Sequence, residues 1–188
     1  MNDSLPPLPP GDWDASLGEV IEDMQGNPLQ VHRLMAHHPE LLRAWWSFRN
    51  HTARGGALTD RERELVILTT ARHLRNSYEW RSHLDRGIAA GVTREEIEWI
   101  RNGGGRWNAR DSALVGASRA LLEQQAIPPD GLARLRAHYS SPQILDVIFL
   151  CGAYVTLGLL LNTFEVPLDE AVARRVARLG LDSLDLPG

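Results

Sequence analysis

The sequence predicts an all-α fold, and three observations lead to this prediction. Apolar residues recur at helical spacing, capping patterns precede several of these segments, and no segment shows sustained strand alternation. The chain has 188 residues, of which 43% are hydrophobic. Because this length and composition can bury one substantial core, a single domain is expected.

The first 26 residues predict a proline-rich N-terminal arm, and the remainder, 27–188, predicts the helical domain. Four prolines among the first 11 residues favour an extended backbone. This segment lacks the positive charge and the apolar run of a signal peptide, so it is not interpreted as one.

Capping boxes mark two helix starts in the domain. Thr59 with Glu62, and Thr93 with Glu96, have the required spacing, so a helix is expected after each threonine. The first of these helices is long and apolar. The second follows Gly91, because glycine favours a helix end.

Prolines mark further helix boundaries. Asn27 and Ser141 are each followed by proline, so each predicts an N-cap with proline in the first turn. The first of these helices is expected to end near Pro39, and the second before Pro167. The remaining helices are predicted at 39–50, around 79–83, and at 111–125, 130–138 and 168–179.

The range from Val147 to Phe164 carries no charge and approaches the length of a membrane-spanning helix. Gly152, Thr156 and Asn162 interrupt its apolar character, which favours a buried core or interface helix. The other helices are expected to pack around it. A soluble, cytoplasmic protein with no membrane partner is therefore expected.

Composition excludes several classes of chemistry. The net charge is −4 and no basic block is present, so nucleic acid is not an expected partner. All 20 basic residues are arginine, which excludes mechanisms that need a lysine amine. Cys151 is the only cysteine, so a disulfide or a Cys-x-x-Cys pair within one chain is excluded. Its apolar neighbours predict a buried residue.

Glu64 is the first candidate catalytic residue. It shares a helical stripe with Ile67 and Leu68, so its carboxylate is expected to face the core. A buried carboxylate must be paired, hydrogen-bonded or protonated, and such groups concentrate at functional sites. Neutralisation by Arg61 or Arg72 is the structural alternative.

Glu79 and His83 are the second and third candidates. They lie one helical turn apart, where a carboxyl group and an imidazole can share a proton. The alternative is a solvent-exposed pair that contributes only about 0.2–0.5 kcal/mol to helix stability.

Candidate substrate-binding residues lie near this pair. Arg72, Arg75 or Arg81 is predicted to hold a substrate carboxylate through a bidentate contact, and the sequence does not choose among them. Tyr78 and Trp80 are candidates for the pocket lining, although an aromatic residue on a helix more often belongs to the core. The polar residues Tyr154 and Asn162 are expected to make hydrogen bonds within a buried helix, without a catalytic role.

Three motifs together resemble the carboxymuconolactone decarboxylase family, which shares the alkylhydroperoxidase D-like helical fold. They are the run from Leu58 to Leu68, the motif Tyr78-Glu79-Trp80-x-x-His83, and the run from Gly91 to Ile97. With the apolar helix near the C-terminus, the resemblance covers about residues 40–170. It implies an alkylhydroperoxidase D-like helical bundle.

Departures from the family pattern indicate which branch of the family the chain resembles. In the redox branch, a Cys-x-x-Cys pair occupies the positions of Asn76 and Glu79, and this chain lacks both cysteines. The resemblance therefore implies loss of thiol peroxidase and disulfide reductase chemistry. The acid and imidazole at Glu64 and His83 match positions kept in both branches.

We therefore expect a cofactor-independent acid/base enzyme, a decarboxylase or a related lyase or isomerase. Its expected substrate is a small unsaturated or cyclic carboxylic acid or lactone. His83 is expected to act as the general acid/base because its ordinary pKa lies nearest neutral pH. Glu64 would orient the imidazole, and Glu79 would carry a second proton or contact the substrate.

Two alternatives stay open at this stage. A non-catalytic binding or assembly protein on the same fold could keep these residues as a buried polar network. A metal site from His73, Glu79 and His83 has suitable ligand types but no tight ligand motif, so no metal is expected. The resemblance also implies a homo-oligomer whose size the sequence does not give.

Overall fold

The computed structural model describes residues 5–186, and every regular element in that range is helical. Within it the chain forms ten α-helices: α1 (Gly18–Asp23), α2 (Gln30–Met35), α3 (Pro39–Asn50), α4 (Asp60–His73), α5 (Ser77–Ala89), α6 (Arg94–Asn102), α7 (Ala109–Gln124), α8 (Pro129–Arg136), α9 (Ser141–Phe164) and α10 (Glu170–Arg178). The prediction of a single all-α domain is confirmed.

Helix α4 lies at the centre of the main core. It packs against α5, α6, α7 and α9, and its residues from Leu65 to Ala71 are all buried. The capping box that starts α4 is formed as predicted, since Thr59 accepts from the Glu62 N–H and Glu62 accepts from the Thr59 N–H. Capping and all-round burial together hold this helix rigidly in the domain.

Helix α9, which contains the uncharged range from Val147 to Phe164, is not the centre of the bundle, contrary to the sequence prediction. It packs against α4 and α7, whereas Leu145, Phe149 and Leu159 are each more than half exposed. Its apolar residues encircle the helix, but part of its apolar surface is left exposed in the described chain. By length and composition alone, α9 could cross a membrane.

Part of the segment predicted as an N-terminal arm is folded. Residues 15–23 are helical, and Trp13, Leu17 and Val20 are buried against Leu42 and Trp46 of α3. The three residues recur at i, i+4 and i+7, which is the spacing of one helical face. This segment supports the helices that line the cavity described below.

The start of α2 differs from its prediction. The helix begins at Gln30, without a cap from Asn27, and the Gln30 N–H donates to Asp169 Oδ1 at 3.1 Å. The acceptor comes from a distant part of the chain, so no local pattern could indicate it. The cap of α9 is Ser140, one residue before the predicted Ser141.

Candidate active site

A cavity of about 420 Å³ lies among α2, α3, α4, α5 and α9. Its lining includes the three candidate catalytic residues Glu64, Glu79 and His83. It also includes Tyr154 of α9, to which the sequence assigned only a hydrogen-bonding role. The structure therefore brings these four side chains, which come from α4, α5 and α9, to one cavity.

The imidazole of His83 is the centre of this group. Its Nδ1 lies 2.7 Å from Glu64 Oε2, and its Nε2 lies 3.1 Å from the Tyr154 hydroxyl and 3.5 Å from Glu79 Oε2. With a proton on Nδ1, the ring donates to Glu64 and accepts at Nε2 from Tyr154. Only 4% of the His83 side chain is exposed, so the pair is not a surface salt bridge.

We call Glu64, Glu79, His83 and Tyr154 the acid–base cluster. The local structure around α5 explains how two of its members are placed. Asn76 caps α5, because its Oδ1 accepts from the Glu79 N–H at 2.7 Å. The Asn76 amide also donates to Asn162 of α9, which ties α5 to the helix that carries Tyr154.

Burial shapes the protonation of the cluster. It raises the pKa of Glu79 above the ordinary 4.5, and Glu64 adds to this, whereas His83 and Arg86 act in the opposite direction. Burial also raises the pKa of Tyr154, with further increases from the charges of Glu79 and Glu64. The phenol is therefore a proton donor at neutral pH, and Glu79 is biased toward its protonated form.

The predicted substrate-binding arginines lie outside the cavity lining. Arg72 Nε donates to the Arg101 carbonyl at 3.0 Å, and Arg81 Nη2 pairs with Asp182 at 2.5 Å. Arg75 does not line the cavity either. These arginines therefore do not join the candidate catalytic residues in the cavity, because nearness to His83 in sequence does not decide which acceptor a long side chain meets.

Four other arginines line the cavity in the described part of the chain, namely Arg49, Arg54, Arg63 and Arg86. Arg86 Nη1 lies 3.4 Å from His83 Nε2. The structural alternative, neutralisation of Glu64 by Arg61 or Arg72, is not observed, since Arg61 pairs with Glu96 and Asp111 and Arg72 donates to the Arg101 carbonyl. Glu64 has His83 as its partner.

The two candidate aromatic residues have different roles. Tyr78 lines the cavity, and its hydroxyl donates to Asp169, the same residue that accepts from the start of α2. Trp80 is completely buried in the core, where its Nε1 donates to the Leu184 carbonyl at 2.9 Å. Only Tyr78 can therefore meet a ligand.

The metal and thiol alternatives gain no support from this geometry. His73 is exposed and lies outside the cavity lining, and the described residues contain no group of three side chains arranged to hold a metal. Cys151 is buried beside Thr70, away from the cavity, and burial raises the pKa of its thiol. A reactive thiolate is therefore absent from the cavity lining.

Comparisons with solved structures agree with the fold. The debrominase Bmp8 in complex with 2,3,4-tribromopyrrole has a TM-score of 0.78 at 16% identity, over 98% of this chain and 99% of that chain. An alkylhydroperoxidase AhpD core protein from Ralstonia eutropha JMP134 has a TM-score of 0.75 at 16% identity, over 90% and 94%. A protein of unknown function from Agrobacterium tumefaciens has a TM-score of 0.64 at 21% identity, over 71% and 93%.

The sequence comparisons match one part of the chain to a family. No curated protein matches the chain. Residues 39–117 match the sequence profile of the carboxymuconolactone decarboxylase family, and this range contains Glu64, Glu79 and His83. This match covers less than half of the chain and shows a similarity to that family, while the solved structures show an alkylhydroperoxidase D-like fold. With a single cysteine, the chain has no Cys-x-x-Cys redox pair.

Proposed function

We propose that this chain is a cofactor-independent enzyme of proton transfer, a decarboxylase or a related lyase or isomerase. Its proposed substrate is a small unsaturated or cyclic carboxylic acid or lactone. The observation that carries the proposal is the convergence of Glu64, Glu79, Tyr154 and His83 on one cavity, with His83 bonded at both ring nitrogens. Buried acid–base groups that share a cavity are typical of catalytic sites.

His83 is the proposed general acid/base, and Nε2 is its working nitrogen. Glu64 fixes the proton on Nδ1 and favours the imidazolium that forms when Nε2 takes up a proton. In a decarboxylation, the electron pair of the broken carbon–carbon bond moves into a conjugated carbonyl as CO₂ leaves. Nε2 then delivers a proton to the carbon that carried the lost carboxyl group. One proton from solvent is therefore consumed for each CO₂ released.

An isomerisation uses the same groups without a net change in protons. Nε2 removes a proton from one carbon of the substrate and returns it to another. In both reactions negative charge develops on an enolate oxygen. The Tyr154 hydroxyl and a protonated Glu79 are the proposed donors to that oxygen, since burial favours the proton-carrying form of each.

The comparisons support a small ring as the substrate. The debrominase with the same fold binds a halogenated pyrrole, which is a small unsaturated ring. The cavity also has apolar lining residues, including Val31, Ile67 and Leu157. Apolar walls with a few polar groups suit such a molecule.

A homo-oligomer in the cytoplasm is the proposed setting. The exposed apolar residues of α9 support association, because Leu145, Phe149 and Leu159 are 55%, 56% and 59% exposed. Exposed apolar patches of this kind mark interaction surfaces. Size-exclusion chromatography with light scattering measures the number of subunits.

The test is a panel of small unsaturated carboxylic acids and lactones. CO₂ release is measured by infrared detection, and exchange of carbon-bound hydrogen in D₂O is measured by NMR. We expect at least one member to react, and His83→Gln to lower its rate roughly 10²–10⁴-fold because the acid/base group is lost. The matched control is His73→Gln, since His73 is exposed and lies outside the cavity lining.

Two outcomes would contradict the proposal. The first is binding of panel members without CO₂ release or exchange, which would favour a non-catalytic binding protein. The second is full activity of His83→Gln. A fall in melting temperature for His83→Gln with no effect on rate would assign the residue a structural role.

A further inference from the structure

The cavity contains arginine side chains that form no ion pair within residues 5–186. Arg54 pairs with Asp23 at 3.3 Å, and Arg63 pairs with Asp60. Arg49 and Arg86 also line the cavity, but neither forms an ion pair with any residue between 5 and 186. A guanidinium removed from water is costly unless an anion accompanies it.

Arg49 is held firmly in place without a carboxylate. Its guanidinium carbon lies 4.9 Å from the centre of the Trp46 ring, and its Nη1 donates to Asn50 Oδ1 at 2.9 Å. Trp46 and Asn50 both donate to Asp23 Oδ2, at 3.0 and 3.1 Å. These contacts fix the guanidinium before any ligand arrives, which reduces the entropy lost on binding.

His32 lies beside the same arginine. Its ring meets Trp46 edge-on at 5.0 Å, and its buried Nδ1 has no hydrogen-bond partner in the described chain. Burial, with a further contribution from the charges of Arg49 and Arg86, lowers its pKa to about 3. At neutral pH the ring is therefore uncharged and offers one N–H donor.

Arg86 connects this group to the acid–base cluster. It follows His83 by one helical turn, and its Nη1 lies 3.4 Å from His83 Nε2. The charges of Arg49 and Arg86 both reach the Tyr154 phenol. An anion bound between these arginines would therefore lie next to the proton-transfer groups.

We propose that Arg49, Arg86 and His32 form an anion-binding subsite that holds the carboxylate of a small organic acid. The proposal rests on the proposed function and deepens it by naming the residues that hold a carboxylate of the substrate. Two guanidinium groups and a neutral imidazole donor suit the two oxygens of a carboxylate. We call these three residues the cationic cluster.

The surroundings favour an organic acid over an inorganic anion. Apolar side chains of Val31, Ile67 and Leu157 line the same cavity and suit a hydrocarbon body. Stabilising a carboxylate in the ground state would oppose its loss as CO₂. The carboxylate held here therefore orients the substrate and is not the reacting group.

The test compares an acid with its neutral isostere. Binding of 2-furoate and of 2-furamide is measured by calorimetry at pH 7, with the full chain and its variants. We expect the wild type to bind furoate more tightly than furamide. Arg49→Gln and Arg86→Gln should each weaken furoate binding roughly 10–100-fold, because each removes a charged hydrogen-bond donor. Their affinity for furamide should stay within about twofold of the wild type.

Control variants separate the effect of losing a charged contact from a general effect on the fold. Arg72→Gln changes an arginine outside the cavity and should leave both affinities unchanged. Arg49→Lys keeps the charge without the planar fork, so its furoate affinity should lie between those of the wild type and Arg49→Gln. His32→Phe keeps the ring against Trp46 but removes the donor, and should weaken furoate binding roughly 2–10-fold.

Several results would overturn the subsite. These are no furoate binding to the wild type, equal affinity for acid and amide, or losses in Arg72→Gln as large as those in Arg49→Gln. The subsite and the proposed function fail separately. Arginine-dependent furoate binding without turnover of any panel member keeps the subsite and rejects the enzyme, whereas turnover without that dependence does the reverse.

Discussion

The acid–base cluster and the cationic cluster share a cavity but differ in how their polar groups are satisfied. In the first, His83 is bonded to Glu64 at one nitrogen and to Tyr154 at the other. In the second, Arg49 and Arg86 have no carboxylate partner between residues 5 and 186. Under our proposal, the first cluster is assembled before substrate arrives, whereas the second is completed by the substrate.

Burial acts on both clusters in the same direction, toward neutral groups. It raises the pKa of Glu79 in the acid–base cluster and lowers the pKa of His32 in the cationic cluster. Arginine keeps its charge because its pKa is too high for burial to remove the proton. The positive charge in the cationic cluster therefore comes from arginine.

The two clusters also depend on different parts of the fold. Glu64 lies on α4, whose apolar residues form the centre of the main core. Arg49 and its support Trp46 lie on α3, which packs with the N-terminal helix in a smaller apolar cluster. The binding side of the cavity therefore depends on a segment outside the matched family range.

Glu64→Gln is the strongest test of the assembled cluster. The amide oxygen can still accept from His83 Nδ1–H, so the fold should persist, but the negative charge that stabilises an imidazolium is lost. We expect the rate of the reaction found in the panel to fall roughly 100-fold or more. Furoate affinity should fall far less, because Glu64 does not belong to the cationic cluster.

The matched control for this change is Glu98→Gln, since Glu98 is exposed and lies outside the cavity lining. Steady-state rates and calorimetric affinities are measured on the same preparations. Equal losses of rate and of furoate affinity in Glu64→Gln would show that the two clusters do not act independently. The distinction drawn between them would then be wrong.

The acid–base cluster was largely predictable because its signals are local. A carboxylate on the apolar stripe of α4 indicated Glu64, and one helical turn joined Glu79 to His83. Their helices begin as local capping patterns require, at Thr59 and Asn76. Tyr154 was missed as a site residue because no local signal relates it to a histidine 71 positions earlier.

The cationic cluster was not predictable, because its arginines are distinguished by having no carboxylate partner within residues 5–186. Arg49 is one of 20 arginines, and nothing near it in sequence shows that it lacks a carboxylate. Arg81 lies two positions from His83 in sequence, yet it forms an ion pair with Asp182, near the other end of the chain. The folded N-terminal segment, by contrast, was detectable from the i, i+4, i+7 spacing of Trp13, Leu17 and Val20.

His32→Phe tests whether burial keeps His32 uncharged in the folded protein. The quantity measured is the free energy of unfolding as a function of pH. His32 is neutral when folded but binds a proton below pH about 6.5 when unfolded, so its contribution to stability is lost as pH falls from 6.5 toward 3. At pH 5 the wild type should lose about 2 kcal/mol relative to neutral pH through this residue. The variant should lack that loss, as measured by urea unfolding.

The same measurement on His73→Phe isolates the effect of burial, because His73 is exposed. This variant should follow the wild-type dependence on pH. If His32→Phe also followed it, His32 would take up its proton in the folded state. The cationic cluster would then contain a third positive charge at acid pH.

Glu79→Gln tests burial in the acid–base cluster and should show an effect of opposite sign. Because the pKa of Glu79 is raised in the folded state, its contribution to stability is present below pH about 4.5 and is lost as pH rises through the folded pKa. Urea unfolding from pH 4 to 8 should show Glu79→Gln becoming more stable relative to the wild type as pH rises, with Glu98→Gln unchanged. A difference that is flat with pH would mean that Glu79 is as easily ionised as an exposed carboxyl group, and it would no longer be a proton donor to an enolate.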